Sequence, residues 1–189
     1  MRHNGHVSTT FPKARKSSKG YDIAQVEDFL EDARRAYSAA PGTPAVLTSQ
    51  GIRSTAFVLQ RGGYATAAVD AALERLEDAF AARERDVAIA AAGERAWYER
   101  VRGDAQEILD RVASPAGRRF DRVSSFTLGY ERRAVDAFCD RLVDYFQHGR
   151  ALPIEAVRTV TFRSVRGGYR EAQVDALLDA VIDVMLAVR

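Results

Sequence analysis

The sequence predicts an all-α protein: four short-arm, Gly-Tyr-corner, amphipathic-helix repeats with one long central heptad helix. Three observations carry that prediction. The phrase RGGY-x4-VDA-x-L is written twice, at Arg61–Leu73 and Arg166–Leu178. A looser frame, Gly-Tyr followed five residues later by Val and then an acid, occurs four times. The stretch after the second copy has apolar residues at heptad spacing and no proline before Pro115. Repeats are sought first because overlooking one misreads the whole fold.

The four corners are Gly20-Tyr21, Gly63-Tyr64, Gly129-Tyr130 and Gly168-Tyr169, and their valines are Val26, Val69, Val135 and Val174. The acids that follow are Glu27, Asp70, Asp136 and Asp175. Copies two and four carry Phe57 and Phe162 seven residues before Tyr, and they match at 11 of 25 positions from Ile52 and Val157 onward. Copies one and three carry Phe11 and Phe120 ten residues before Tyr and match at 5 of 20. The order A-B-A′-B′ suggests duplication of a two-unit block.

In each copy, a helix starting just after Tyr makes Tyr the N′ residue and Val the N4 residue. That is the spacing of a hydrophobic staple, which fixes how the chain enters a helix. In copy one, Asp22 is a good N-cap and Gln25 completes a capping-box pattern. Ala65, Glu131 and Arg170 are poorer caps, and Thr66 is an alternative for copy two. The acids after Val read as helix-dipole partners rather than as a catalytic cluster. Gly before Tyr fits a turn needing positive φ or a close backbone approach. Beyond Val the apolar period is helical: Val26, Phe29, Leu30, Ala33 and Tyr37 share one face, as do Val174, Leu177, Leu178, Val181 and Met185. Such faces must pair within or between chains.

From Val69 to Val112 the apolar positions fall 3, 4 or 7 apart, interrupted by Arg83, Glu94 and Asp104. Gly93 and Gly103 weaken the run by ~1 kcal/mol each relative to Ala. The unbroken register predicts one helix of about 45 residues, roughly 65 Å long; the alternative is two helices split near Gly93. A helix of that length implies partial coiled-coil pairing, most simply with a second copy of the chain. Trp97 reads as core or interface. The expected layout is a basic tail at 1–10, repeat one at 11–40, a linker at 41–51 and repeat two at 52–80. The long helix continues over 81–113, with repeat three at 114–148 and repeat four at 149–189.

Composition narrows the function classes. The chain has 189 residues, a formal net charge of +2 and 47% hydrophobic residues. No global charge drives it toward nucleic acid. The only lysines, Lys13, Lys16 and Lys19, fall in a stretch of 20 residues without an acid. With Arg2 and Arg15 they form a cationic arm suited to reversible contact with an anionic membrane, at ~1 kcal/mol per residue. Cys139, the single cysteine, reads as a buried structural thiol. The histidines are His3, His6 and His148, and no His-x3-His, Gly-x-Ser-x-Gly or phosphate-loop motif occurs. The reading is therefore non-enzymatic, with no cofactor and no metal. With no signal-like segment and no membrane-length apolar run, a cytoplasmic location is expected. The alternative function is a helical nucleic-acid binder using the basic arm.

The stretch FPKARKSSKGYDIAQVEDFLEDARRAY, residues 11–37, closely resembles the N-terminal module of DivIVA-type bacterial cell-division and polar-growth scaffold proteins. The shared pattern is an upstream Phe, basic residues, then G-Y-D-x3-V-[DE]-x-F-L. The likeness is clear again at 52–76 and 157–181 and degenerate at 118–146. The resemblance implies a scaffold acting in cell division or polar growth, peripheral at the inner membrane face at pole or septum. It implies modules that dimerise as a parallel coiled coil, with partners among other division proteins. It also implies crossed loops presenting an aromatic residue beside basic ones to the membrane. Carried over residue by residue, the aromatic position falls on Ser18, Arg61, Thr127 and Arg166, with Phe126 one residue away as the nearest substitute. Lys19 alone matches the basic neighbour. The membrane-binding candidates are thus Lys13, Arg15, Lys16, Lys19 and Phe126. Self-association is expected as a homodimer or as repeat pairing within one chain.

Overall fold

The computed structural model describes residues 11–39 and 46–189. The expected basic tail at 1–10, with Arg2, His3 and His6, and part of the 41–51 linker lie outside the described residues. The chain is mostly helical, with seven helices and four three-residue strands among the described residues. It divides into two compact units at Val87/Ala88.

The first unit runs β1 (Lys19–Tyr21), α1 (Ile23–Ser38), α2 (Ser49–Arg53), β2 (Leu59–Arg61) and α3 (Thr66–Ala92) as far as Val87. β1 and β2 pair antiparallel, with Lys19 opposite Arg61, Gly20 opposite Gln60 and Tyr21 opposite Leu59. At the centre of the core Val26, Tyr64 and Val69 meet, with Phe11, Tyr21, Ile23, Leu30, Phe57 and Leu73 packed around them. Each valine starts the apolar stripe of its helix, so both stripes open onto one core. Further along, Tyr37 of α1 lies against Phe80 of α3, ring centroids 5.4 Å apart.

The second unit continues with α4 (Glu94–Val112), β3 (Leu128–Tyr130), α5 (Arg132–His148), α6 (Ile154–Arg158), β4 (Ser164–Arg166) and α7 (Glu171–Ala187). β3 pairs antiparallel with β4, placing Leu128 opposite Arg166. α4 packs on α5 and α7, and α6 on α7. Trp97 is buried in this core and donates its indole N–H to the Ala187 carbonyl at 3.3 Å.

The structure corrects several expectations. The long helix is two helices: α3 ends at Ala92 and α4 begins at Glu94. Gly93 between them has φ 86°, a left-handed conformation that ends helical propagation and costs only glycine little. The heptad pattern could not expose this break, because Val101, Ile108 and Val112 fill the core of the second unit. Arg83, an interruption of the seam in sequence, caps α1: its guanidinium donates to the carbonyls of Ala36, Tyr37 and Ala39. A cation there satisfies helix-end carbonyls and meets the negative end of the dipole. The strands and the short helices α2 and α6 leave no mark in the sequence pattern, since three- to five-residue elements carry no period. His148 is the last residue of α5, and Gly149 ends that helix at φ 63°.

The glycines before Tyr work by close approach. Gly20, Gly63, Gly129 and Gly168 have no positive φ; the left-handed residues are their neighbours Gly62 and Gly167. A β-carbon on Gly168 would lie 2.5 Å from the carbonyl carbon of Gly129. On Gly20, Gly63 or Gly129 it would fall closer still to the opposing Tyr64, Tyr21 or Tyr169 carbonyl oxygen. A clash with backbone cannot be relieved by a rotamer change. Gly20→Ala or Gly63→Ala is expected to cost at least ~2 kcal/mol, read as a lowered urea midpoint. Gly103→Ala, where nothing lies within 4 Å of the new carbon, is expected to stabilise by about 0.5–1 kcal/mol.

Candidate functional site

Within each unit, the two Gly-Tyr corners clasp each other through the backbone. Tyr21 N donates to Tyr64 O and Tyr64 N to Tyr21 O, both at 2.9 Å. In the second unit the Tyr130–Tyr169 pair does the same at 3.0 and 2.8 Å. The arms are tied as well: Ala14 N to Gly63 O and Ala65 N to Pro12 O, matched by Val123 N to Gly168 O and Arg170 N to Asp121 O.

Aromatic rings cross the clasp. Phe11 sits edge-on to Tyr64 and Phe57 to Tyr21, each at 5.4 Å. Phe120 sits edge-on to Tyr169 at 5.3 Å, and Phe162 lies tilted on Tyr130 at 5.4 Å. Thus the ring packed on each tyrosine comes from the other corner. Tyr64 and Tyr169 are fully buried.

The acids after Val complete the exchange. Glu27 accepts from the Tyr64 hydroxyl at 2.5 Å, and Asp136 from the Tyr169 hydroxyl at 3.0 Å. Asp70 and Asp175 interact in the same sense with Tyr21 and Tyr130. The expected dipole role is corrected: none of these acids lies in a first turn, and each sits where its helix passes the opposing tyrosine. The capping box is half formed. Asp22 accepts from Gln25 N at 2.9 Å, but the Gln25 side chain accepts from Val58 N instead of turning back. Ala65 O accepts from Val69 N, so α3 begins at Thr66 and Thr66 is not its cap. Glu131 and Arg170 are N-caps without a side-chain bond.

The second unit has a charge network at its clasp, centred on the buried Arg119 and Asp136 and reaching the exposed Asp140. The Arg119 guanidinium donates to the Ser114 and Asp136 carbonyls and to the Asp140 carboxylate, while Asp136 also accepts from Gly117 N at 2.8 Å. Burial pushes the Cys139 thiol up to about 11, so it is protonated and unreactive at neutral pH. Among the described residues no cluster of His, Cys, Asp or Glu could hold a metal ion.

Each clasp projects a tip. In the first unit the turn closed by Ser18 N to Arg15 O (2.8 Å) exposes Arg15 and Lys16, beside the Lys19–Arg61 cross-strand pair. Lys13 is exposed on the same arm. Among the described residues none of these five cations pairs with an acid. In the second unit the matching turn, Thr127 N to Ser124 O (2.9 Å), exposes Phe126, which is 89% accessible, and Leu128 opposite Arg166. The five membrane-binding candidates thus fall on two tips, the cations on one and Phe126 on the other. Arg61, Leu128 and Arg166 join them only through strand pairing, which sequence spacing did not reveal. No helix among the described residues is long and apolar enough to cross a membrane. No protein-family model, curated protein or solved structure matches the chain.

Burial first, then the facing carboxylates, raises the Tyr21, Tyr130 and Tyr169 hydroxyls above their ordinary 10.0. The folded chain then holds these protons more tightly than the unfolded one. Their contribution to stability is complete below pH 10 and is lost as pH rises through the folded values. Urea midpoints are expected to fall as pH rises above 10. Tyr64→Phe and Tyr169→Phe, which keep the ring and lose the carboxylate bond, should each cost about 1–3 kcal/mol near neutrality.

Proposed function

We propose that the chain is a non-enzymatic scaffold of DivIVA type, acting in bacterial cell division or polar growth at the inner face of the membrane. In this reading its four Gly-Tyr modules pair as A with B inside each unit, an intrachain counterpart of the family's module dimer. The helices supply docking and self-association surfaces. The observation that carries the proposal is the cationic tip. Lys19 and Arg61 are placed directly opposite on a ladder, where like charges repel, and Arg15 and Lys16 stand beside them without acidic partners. An arrangement that costs stability and is fixed by a rigid clasp suits an external anion, and an anionic bilayer offers one over a broad surface. The second tip adds two exposed apolar side chains, Phe126 and Leu128, the latter opposite Arg166.

Co-sedimentation with vesicles tests this reading. The protein is expected to pellet with phosphatidylglycerol-containing vesicles and not with pure phosphatidylcholine. Changing Lys13, Lys16 and Lys19 together to Glu should weaken binding by at least about a hundredfold, at ~1 kcal/mol per cation removed. Equal pelleting of that variant would exclude the tip as the contact. A DNA shift assay at moderate salt is expected to show no complex. A fluorescent fusion in the native cell should concentrate at poles or septum; an even distribution through the division cycle would overturn the assigned role.

A further inference from the structure

The basic tip also contains a pair of exposed hydroxyls. Ser17 and Ser18 lie on the Arg15–Ser18 turn, and among the described residues neither side chain has a hydrogen-bond partner. Arg15 and Lys16 stand three and two residues before Ser18, and Lys19 follows it. The matching residue of the second unit, Thr127, has Ser124 and Ser125 at those places. There Ser124 is engaged, its hydroxyl accepting from Phe126 N at 3.1 Å. The first turn is therefore the one that combines a free hydroxyl with upstream cations. The turn itself is closed by the Ser18 N to Arg15 O bond, and both serines stay exposed on its outer side.

We propose that Ser18 is a phosphoacceptor for a serine/threonine kinase with an acidic peptide groove, and that the phosphate switches off the anion contact of this tip. The proposal rests on the reading of the tip as a membrane-contacting surface. In the transfer, the Ser18 oxygen attacks the terminal phosphorus of a nucleoside triphosphate. The new Oγ–P bond forms as the bond to the bridging oxygen breaks. The nucleoside diphosphate leaves and the hydroxyl proton passes to the kinase. The product carries about −1.5 to −2 charges at neutral pH. It stands next to the opposed Lys19 and Arg61, whose mutual repulsion it relieves. It offsets about half the charge of Arg15, Lys16, Lys19 and Arg61.

The experiment treats the full chain with a purified basophilic kinase and magnesium-ATP, maps the phosphate by peptide mass spectrometry, and measures vesicle binding before and after. Uptake of one phosphoryl group on Ser18, absent in Ser18→Ala, is expected. Binding to phosphatidylglycerol vesicles should then fall about thirtyfold, the equivalent of losing two cations. Ser18→Ala should bind as the unmodified chain does before and after treatment. No phosphate, or phosphate on another residue, overturns the assignment of Ser18. Unchanged binding after stoichiometric modification overturns the switch while leaving the membrane contact standing. Failure of the unmodified chain to bind these vesicles overturns the contact and the switch with it.

Discussion

The approach of two backbones at the Gly-Tyr corners is the constraint on which the rest depends. Gly20 faces the Gly63-Tyr64 peptides so closely that no β-carbon fits, and Gly129 faces Tyr169 in the same way. This closeness lets Tyr21 and Tyr64 exchange both backbone bonds, satisfying polar groups that would be costly to bury unpaired. It also aims two helices so that Val26 and Val69 share one core. The phenylalanines and acids then secure the clasp by reaching across to the opposing tyrosine. Because the acid bonds a hydroxyl on the other corner, neither corner is complete without its partner.

The two units use this frame differently. In the first, cations gather on the outward turn, and charge is paired deeper down, where Arg53 holds the buried Glu77 at 2.7 Å. In the second, Arg119 is drawn into the clasp, its side chain only 7% exposed, and the turn presents Phe126 and Leu128. Breaking one partner of such a buried pair is costly, because the other charge is left without compensation. The same backbone turn thus carries a polar face in one unit and an apolar face in the other. That contrast links the fold to the proposed membrane role: electrostatic attraction and apolar burial are separate contributions to surface binding.

Gly93 and Arg83 show how a single residue can redirect a long apolar pattern. Helical propagation depends on consecutive residues keeping α dihedrals, and one glycine at φ 86° ends it. Arg83 sits at a position where the heptad asks for an apolar side chain. Instead it covers the last carbonyls of α1 and lies 5.4 Å from the Tyr37 ring centroid. Its long stem lets it serve apolar packing and polar capping together.

By itself the sequence determined the mostly helical character, the starts of the helices after the four tyrosines, and their apolar stripes. These follow from short-range rules: side-chain period, the Asp22 cap and the position of glycine. It also held the cations of the first tip, because Lys13, Arg15, Lys16 and Lys19 are neighbours in the chain. Only the tertiary structure decided that Glu27, Asp70, Asp136 and Asp175 serve tyrosines on other helices, and that Arg61 stands opposite Lys19. It alone decided that Gly93 breaks the central helix while Gly103 does not. Those outcomes depend on which distant residue arrives at a given point and on the backbone angle each glycine adopts there. Neither quantity is encoded in local spacing.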